Sequence, residues 1–155
     1  YNHLRTGRPY SGFWATTKYV DCVNEPLYPF GYGLSYNRYT YGKPVLDKKK
    51  AKGDDDVVTL SIDITNTGKY TGKEVVQLYI GDPEASVSRP VIELKDFQKV
   101  DFAPGETKTV TFRITTGQLK FYNQDLKYDW EAGKFNISVG PNSRELQKIT
   151  MTWDK

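Results

Sequence analysis

Residues 57–66 read Val-Val-Thr-Leu-Ser-Ile-Asp-Ile-Thr-Asn. From Val58 to Ile64 every second residue is apolar, and the residues between them are Thr, Ser and Asp. A period of two is typical of a β-strand with one buried face. The following Asn-Thr-Gly-Lys at 66–69 has turn composition. We therefore predict a half-buried strand that ends near residue 66.

The same alternation recurs along the rest of the chain, at Val76/Leu78/Ile80, Val110/Phe112/Ile114, Phe135/Ile137/Val139 and Ile149/Met151/Trp153. Val75 and Tyr79 also predict that the second strand is central and covered on both sides. Residues 92–102 predict one strand with a bulge or two short strands, and residues 119–122 and 127–130 predict short strands around a turn. Turn signals every 8–12 residues, without a convincing helical stretch, are typical of an all-β, immunoglobulin-like (fibronectin type III-like) antiparallel β-sandwich.

The N-terminal part of the chain has a different composition. Of the 22 aromatic residues in 155, 11 fall within residues 1–41. Residues 1–36 show no sustained period and are punctuated by Gly and Pro, so we expect an irregular strap there and a sandwich domain over 37–155. So many rings should pack on a protein surface. Because the chain starts at Tyr1 and its only methionine is Met151, we expect it to be a piece of a longer polypeptide.

Charge and composition exclude several functional classes. Lys+Arg minus Asp+Glu is 22 − 19 = +3, with the charges interspersed, which is too weak to suggest a nucleic-acid or membrane surface. No apolar run approaches the ~20 residues that cross a bilayer.

Cys22 and His3 are the only residues of their types, so neither a disulfide nor a thiolate metal cluster is expected. The charged run 47–56 predicts an exposed loop without the ligand spacing of a calcium site.

Candidate catalytic residues are scarce. A nucleophile triad needs a base beside Ser or Cys, and His3 is terminal. Asp129 and Glu131 would share one face of an edge hairpin, whereas glycoside hydrolysis needs two carboxylates across a cleft. Aromatic faces can hold sugar rings, and the candidates for such contacts are Phe13, Trp14 and Trp130. Trp153 follows an inward alternation and is predicted to lie in the core.

Five motifs in order resemble one family. The stretch Asn-Glu-Pro-Leu-Tyr-Pro-Phe-Gly-Tyr-Gly-Leu-Ser-Tyr at 24–36 is similar to the "YPFGYGLSYT" segment of glycoside hydrolase family 3 β-glucosidases and β-xylosidases that carry a C-terminal fibronectin type III-like domain. That domain's remaining patterns are matched by Asn66-Thr67-Gly68 with 72–80, by 85–90 with 93–97, by 103–107 and by 133–135. Asp96 stands where glycine is usual. Residues 1–9 resemble the junction between the catalytic region and the linker, as in periplasmic β-glucosidases.

The resemblance implies a retaining β-glycosidase whose nucleophile aspartate and acid/base glutamate precede this chain, with no cofactor. It implies no catalytic residue here, an inactive accessory domain that braces the catalytic domains of the same parent chain, and a periplasmic or secreted location. β-Linked oligosaccharide would be a partner only through the parent. Alternatives are a carbohydrate-binding module, a cell-surface adhesion domain, and a strap loop in which Phe13 and Trp14 reach the parent's active-site mouth.

Overall fold

The computed structural model describes residues 25–155. Strand β4 (Val58–Asn66) is the predicted half-buried strand, and its alternate residues Val58, Leu60, Ile62 and Ile64 lie in the core. β4 pairs on one edge with β7 (Thr107–Ile114), with Ile62 opposite Val110. Its other edge carries two short strands, β1 (Tyr39–Tyr41) and β2 (Val45–Leu46). These four strands form the first sheet.

The second sheet has five strands, which in spatial order are β3 (Lys50–Lys52), β11 (Gln147–Asp154), β10 (Gly133–Gly140), β5 (Gly72–Gly81) and β6 (Glu93–Phe102). Every pairing in it is antiparallel except that of β3 with β11. The inward side chains of both sheets meet in one hydrophobic core. The predicted all-β sandwich is therefore confirmed, and Trp153 lies in its core as expected.

The predicted bulge lies between β5 and β6. Leu78 pairs with Asp96 but Tyr79 pairs with Leu94, so Lys95 is the extra residue on β6. Asp96 accepts a hydrogen bond from the Phe97 amide at 2.7 Å. Among the described residues Leu126 alone has a positive φ without being glycine. Asp96 therefore keeps an ordinary backbone at the position where the family usually has glycine.

The charged run at 47–56 corrects one expectation, because part of it is strand β3 rather than loop. Ala51 is buried and pairs with Trp153 of β11. The Gly53 carbonyl accepts a hydrogen bond from the Trp153 indole at 2.9 Å, and Asp56 accepts hydrogen bonds from the Lys52 and Val57 amides. Burial of Ala51, the single apolar residue of the run, therefore accompanies an edge strand. Gly53 and Asp56 beside it accept hydrogen bonds from the Trp153 indole and from backbone amides.

A small hairpin and one helical turn complete the fold. Helix α1 (Thr116–Leu119) leads into β8 (Phe121–Tyr122), which pairs with β9 (Tyr128–Asp129). The buried Arg89 side chain lies 4.3 Å from the Phe121 ring centroid and forms ion pairs with Asp82 and Glu93. Burial raises the pKa of Asp82. This cluster fixes the base of the hairpin to the β5–β6 loop.

The two phenylalanines Phe112 and Phe97 provide a matched test of the core. Phe112 is buried between the sheets, whereas Phe97 is exposed on β6. Phe112→Ala should lower the free energy of unfolding by about 3–5 kcal/mol through lost burial and a cavity. Phe97→Ala should change it by about 0.5 kcal/mol or less. Urea denaturation measures both, and equal losses would contradict the assigned core.

Candidate functional site

Residues 25–36 expose an unusual number of large apolar side chains. They are Leu27, Tyr28, Phe30, Tyr32, Leu34 and Tyr36, here called the strap side chains. Leu34 is 91% exposed and Tyr36 is 98% exposed. The rings of Tyr28 and Tyr32 lie 5.1 Å apart. Apolar groups at this density are typical of a surface that another protein surface covers.

The strap backbone is nevertheless attached to the sandwich. The Tyr32 amide donates to the Pro29 carbonyl at 3.0 Å, which closes a turn. Gly31 occupies the third position of that turn with φ 79°, a conformation that favours glycine. The Phe30 carbonyl accepts from the Ser143 amide at 2.9 Å, in the connection between β10 and β11. Strap backbone groups are thus bonded inward while the strap side chains lie outside.

Gln77, in the middle of central strand β5, is the main link between strap and sandwich. It is buried on the outward face of the sheet, and its amide nitrogen donates to the Gly31 carbonyl at 3.2 Å and to the Pro141 carbonyl at 2.5 Å. Its amide oxygen accepts from the Tyr79 hydroxyl. Strap residues therefore cover part of the outward face of β5. The prediction that this strand is covered on both sides holds for the buried Tyr79 but not for Val75, which stays exposed.

Asn37 fixes the end of the strap to the β4–β5 turn. Its side-chain oxygen accepts from the Tyr70 amide at 3.1 Å, and the Thr67 amide donates to the Arg38 carbonyl at 2.8 Å. A Cβ atom at Gly68 or Gly72 would lie about 2.5 Å from the Asn37 side chain. The two glycines of this turn are therefore required because the buried Asn37 lies against them.

A groove of mixed polar and apolar lining lies beside the strap, and the residues that line it include Leu34, Tyr39, Tyr41, Glu74 and Asn142. The Tyr41 hydroxyl donates to a Glu74 carboxylate oxygen at 2.8 Å. Burial raises the pKa of Glu74, and the hydrogen bond from Tyr41 opposes that rise. Burial, followed by the charge of Glu74, raises the pKa of Tyr41. Two carboxylates line the groove: Glu74, which accepts the hydrogen bond from Tyr41, and Glu145. Carboxylate and hydroxyl oxygens in a groove suit hydrogen bonding to a polar partner.

The two carboxylates considered from the sequence, Asp129 and Glu131, bond different neighbours. Asp129 pairs with Lys155 at 3.1 Å, and a hydrogen bond from the Trp130 backbone lowers its pKa. Glu131 accepts hydrogen bonds from the Ser86 amide and hydroxyl. Across residues 25–155, no group of three or more His, Cys, Asp or Glu side chains could hold a metal ion.

Trp130, the one aromatic sugar-contact candidate among the described residues, is only 1% exposed. Its indole donates to Asp54 at 2.5 Å, and its ring meets Trp153 edge-on at a centroid distance of 6.2 Å. In this structure its ring therefore presents no free face to a ligand. Phe13 and Trp14 lie outside the described residues.

Sequence reasoning overlooked Gln77 and Asn37. The sequence does indicate that Gln77 is unusual, because it is the one amide in the otherwise apolar and aromatic run Val75-Val76-Gln77-Leu78-Tyr79. A buried amide in such a run needs hydrogen-bond partners, and these prove to be strap and loop carbonyls.

Gly31 and Gly33 form a matched pair of strap variants. A Cβ atom at Gly31 would lie 2.1 Å from the Gln77 side-chain oxygen, whereas nothing lies within 4 Å of one at Gly33. Gly31→Ala should therefore disturb the Gln77 hydrogen bonds and cost about 1–3 kcal/mol of unfolding free energy. Gly33→Ala should cost less than about 1 kcal/mol. Chemical denaturation, with limited proteolysis of the strap, measures both variants. Equal losses of stability would contradict the role of Gln77 as the main link between strap and sandwich.

The raised pKa of Glu74 predicts how the free energy of unfolding changes with pH. Because its pKa is raised above 4.5 in the folded protein, the folded state binds more protons than the unfolded state just above that pH. Stability contributed by this group therefore falls as pH rises, and Glu74→Gln should gain stability relative to wild type between about pH 4 and pH 7.

Glu106→Gln is the matched control for that measurement. A hydrogen bond from the Ala103 amide lowers the pKa of Glu106, so this variant should be less stable than wild type above about pH 4.5, and the difference should shrink as pH falls below that value. Urea denaturation at each pH gives both differences. Parallel pH profiles for the two variants would show that Glu74 is not held in a desolvated site.

The comparisons with known proteins match this architecture. The fibronectin type III-like domain model matches residues 74–143. A periplasmic β-glucosidase of Salmonella typhimurium is 48% identical over 151 residues, which is 96% of this chain and 20% of that protein. A β-xylosidase of Formosa agariphila is 46% identical over 129 residues, which is 82% of this chain and 18% of that protein.

Solved structures show the same relationship. The crystal structure of a β-glucosidase from Listeria innocua in complex with gluconolactone matches all of this chain with a TM-score of 0.92 and 40% identity, and the match covers 22% of that protein. The chain thus spans about a fifth of the length of these relatives. Among the described residues, no helix is long and apolar enough to cross a membrane. The chain contains a fibronectin type III-like domain and is homologous to part of the family 3 β-glucosidases and β-xylosidases.

Proposed function

We propose that this chain is the non-catalytic C-terminal accessory domain of a retaining family 3 β-glycosidase and braces the catalytic domains of its parent. The observation that carries the proposal is the strap: its backbone is hydrogen-bonded to the sandwich, yet large apolar side chains such as Leu34 and Tyr36 are almost fully exposed. A surface held in place and left apolar is suited to a protein partner. Relatives about five times longer provide room for that partner in the same polypeptide.

The proposal divides the chain near residue 36. The preceding residues form the strap between the catalytic domains and the sandwich, and residues 37–155 form the accessory domain. Hydrolysis is assigned to two carboxylates in the preceding domains, since Asp129 and Glu131 each bond a different neighbour here. No cofactor is required. A periplasmic or secreted location is part of the proposal, supported by the likeness to a periplasmic β-glucosidase.

The bracing role predicts a loss of stability in the parent. Deleting residues 37–155 from the full-length enzyme should lower its melting temperature or its soluble yield, because an interface on the order of 600–1,500 Å² is lost. Differential scanning calorimetry and expression yield measure the effect. Unchanged stability and yield after deletion would overturn the bracing role.

A point variant tests the same surface more narrowly. The double change Leu34→Asp with Tyr36→Asp should destabilise the full-length enzyme by about 2 kcal/mol or more, since it places charges in a desolvated seam. In the isolated chain, where both side chains are exposed, it should change stability by about 0.5 kcal/mol or less per residue. Tyr70→Asp, at an exposed tyrosine of the β4–β5 turn, is the control in both contexts.

A further inference from the structure

A second exposed aromatic cluster lies on the β8–β9 hairpin. Tyr122 and Tyr128 are cross-strand partners whose ring centroids lie 5.0 Å apart, with ring planes tilted by 47°. They are 67% and 57% exposed. We call them the tyrosine pair. Two adjacent rings on one face of a hairpin present a continuous amphipathic surface with hydroxyls at its rim.

The hairpin holds the tyrosine pair rigidly. The neighbouring Phe121 is buried and lies beneath the Arg89 guanidinium. The Gln124 amide donates to the Ser86 carbonyl at 2.9 Å, which ties the turn to the β5–β6 loop. Trp130, directly after β9, is buried in the core. Because the base and the turn are both fixed, few degrees of freedom remain to be lost when a ligand contacts the rings.

The connecting turn carries backbone strain. Leu126 has φ 58°, in the left-handed region, and its side chain is exposed. This conformation costs a bulky residue about 1–2 kcal/mol. Asn123 maintains it, since its side-chain oxygen accepts from the Asp125 and Lys127 amides at 3.0 and 3.1 Å. The strained turn keeps Tyr122 opposite Tyr128, and strain retained in this way often accompanies a functional surface.

The tyrosine pair and the strap lie at opposite ends of the sandwich. Strand β10 begins at Gly133, shortly after the hairpin, and ends at Gly140, next to the loop that bonds Phe30. Seven residue steps along a strand span roughly 23 Å. The tyrosine pair is therefore a surface separate from the strap side chains.

We propose that the tyrosine pair binds a single chain of β-linked polysaccharide. Pyranose rings with equatorial hydroxyls present apolar C–H faces that stack on aromatic rings, and the exposed Asp125 and Lys127 side chains next to the pair can bond hydroxyl groups. The tilt between the rings suits a twisted soluble chain better than a flat crystalline surface. The choice of β-linked sugars rests on the proposed function; the location of the site does not.

Titration of the ¹⁵N-labelled chain with cellohexaose, xylohexaose and laminarihexaose, followed by NMR, tests this inference. At least one of these sugars should cause saturable shifts centred on residues 121–129. Tyr122→Ala and Tyr128→Ala should each weaken binding about tenfold, whereas Tyr122→Phe, which keeps the ring, should retain most of it. Tyr70→Ala and Tyr36→Ala, at exposed tyrosines outside the hairpin, should bind like wild type.

Three results would overturn the proposed binding site. In the first, none of the three sugars causes saturable shifts. In the second, the shifts centre outside residues 121–129, and in the third, the tyrosine-pair variants fold and bind the sugar as wild type does. Concentration-dependent association that disappears in Tyr128→Ala would instead assign the pair to self-association. The outcome is separable from the bracing role, since the Leu34→Asp/Tyr36→Asp enzyme tests the strap and leaves the hairpin unchanged.

Discussion

The structure depends on one buried amide, that of Gln77 in the central strand β5. A polar side chain on the covered face of a sheet is stable only when its donors and acceptor are bonded, and here the partners are the Gly31 carbonyl, the Pro141 carbonyl and the Tyr79 hydroxyl. Because two of these partners are backbone carbonyls outside β5, the strand holds the strap and the β10–β11 connection together. Gly31 is required at the contact because a Cβ atom would overlap the amide. The buried amide on the outward face of β5 thereby determines where the strap lies.

The domain therefore has a closed hydrophobic core and, at the strap, an exposed apolar surface. The inner faces of the two sheets form a closed core that includes both Trp130 and Trp153. The strap has its backbone bonded and its apolar side chains outward, as in one half of an interface. The groove beside it adds Glu74, whose pKa is raised by burial and whose carboxylate accepts a hydrogen bond from the Tyr41 hydroxyl. The proposed bracing role accounts for the last two features, since a partner would cover the apolar groups and complete the groove.

Alternation in the sequence predicted the main strands because each has one face in the core: Ile62, Leu78, Phe112, Ile137 and Met151 all lie where the period of two expects them. The family motifs identified the domain. Features that depend on distant pairs were not predictable. Strand β3 exists because Ala51 pairs with Trp153, and Trp130 is buried because its indole reaches Asp54. No local pattern encodes partners 102 and 76 residues away. The exposure of Tyr122 and Tyr128 likewise depends on hairpin orientation, which periodicity does not describe.

The proposed bracing role requires that the strap side chains, which are exposed in the isolated chain, be covered in the parent enzyme. Hydroxyl-radical footprinting with mass spectrometry on both proteins tests it directly, because labelling follows side-chain exposure. Leu34 and Tyr36 should label strongly in the isolated chain and be protected in the full-length enzyme, while Tyr122 and Tyr128 should label similarly in both. Equal labelling of Leu34 and Tyr36 in the two proteins would contradict the account.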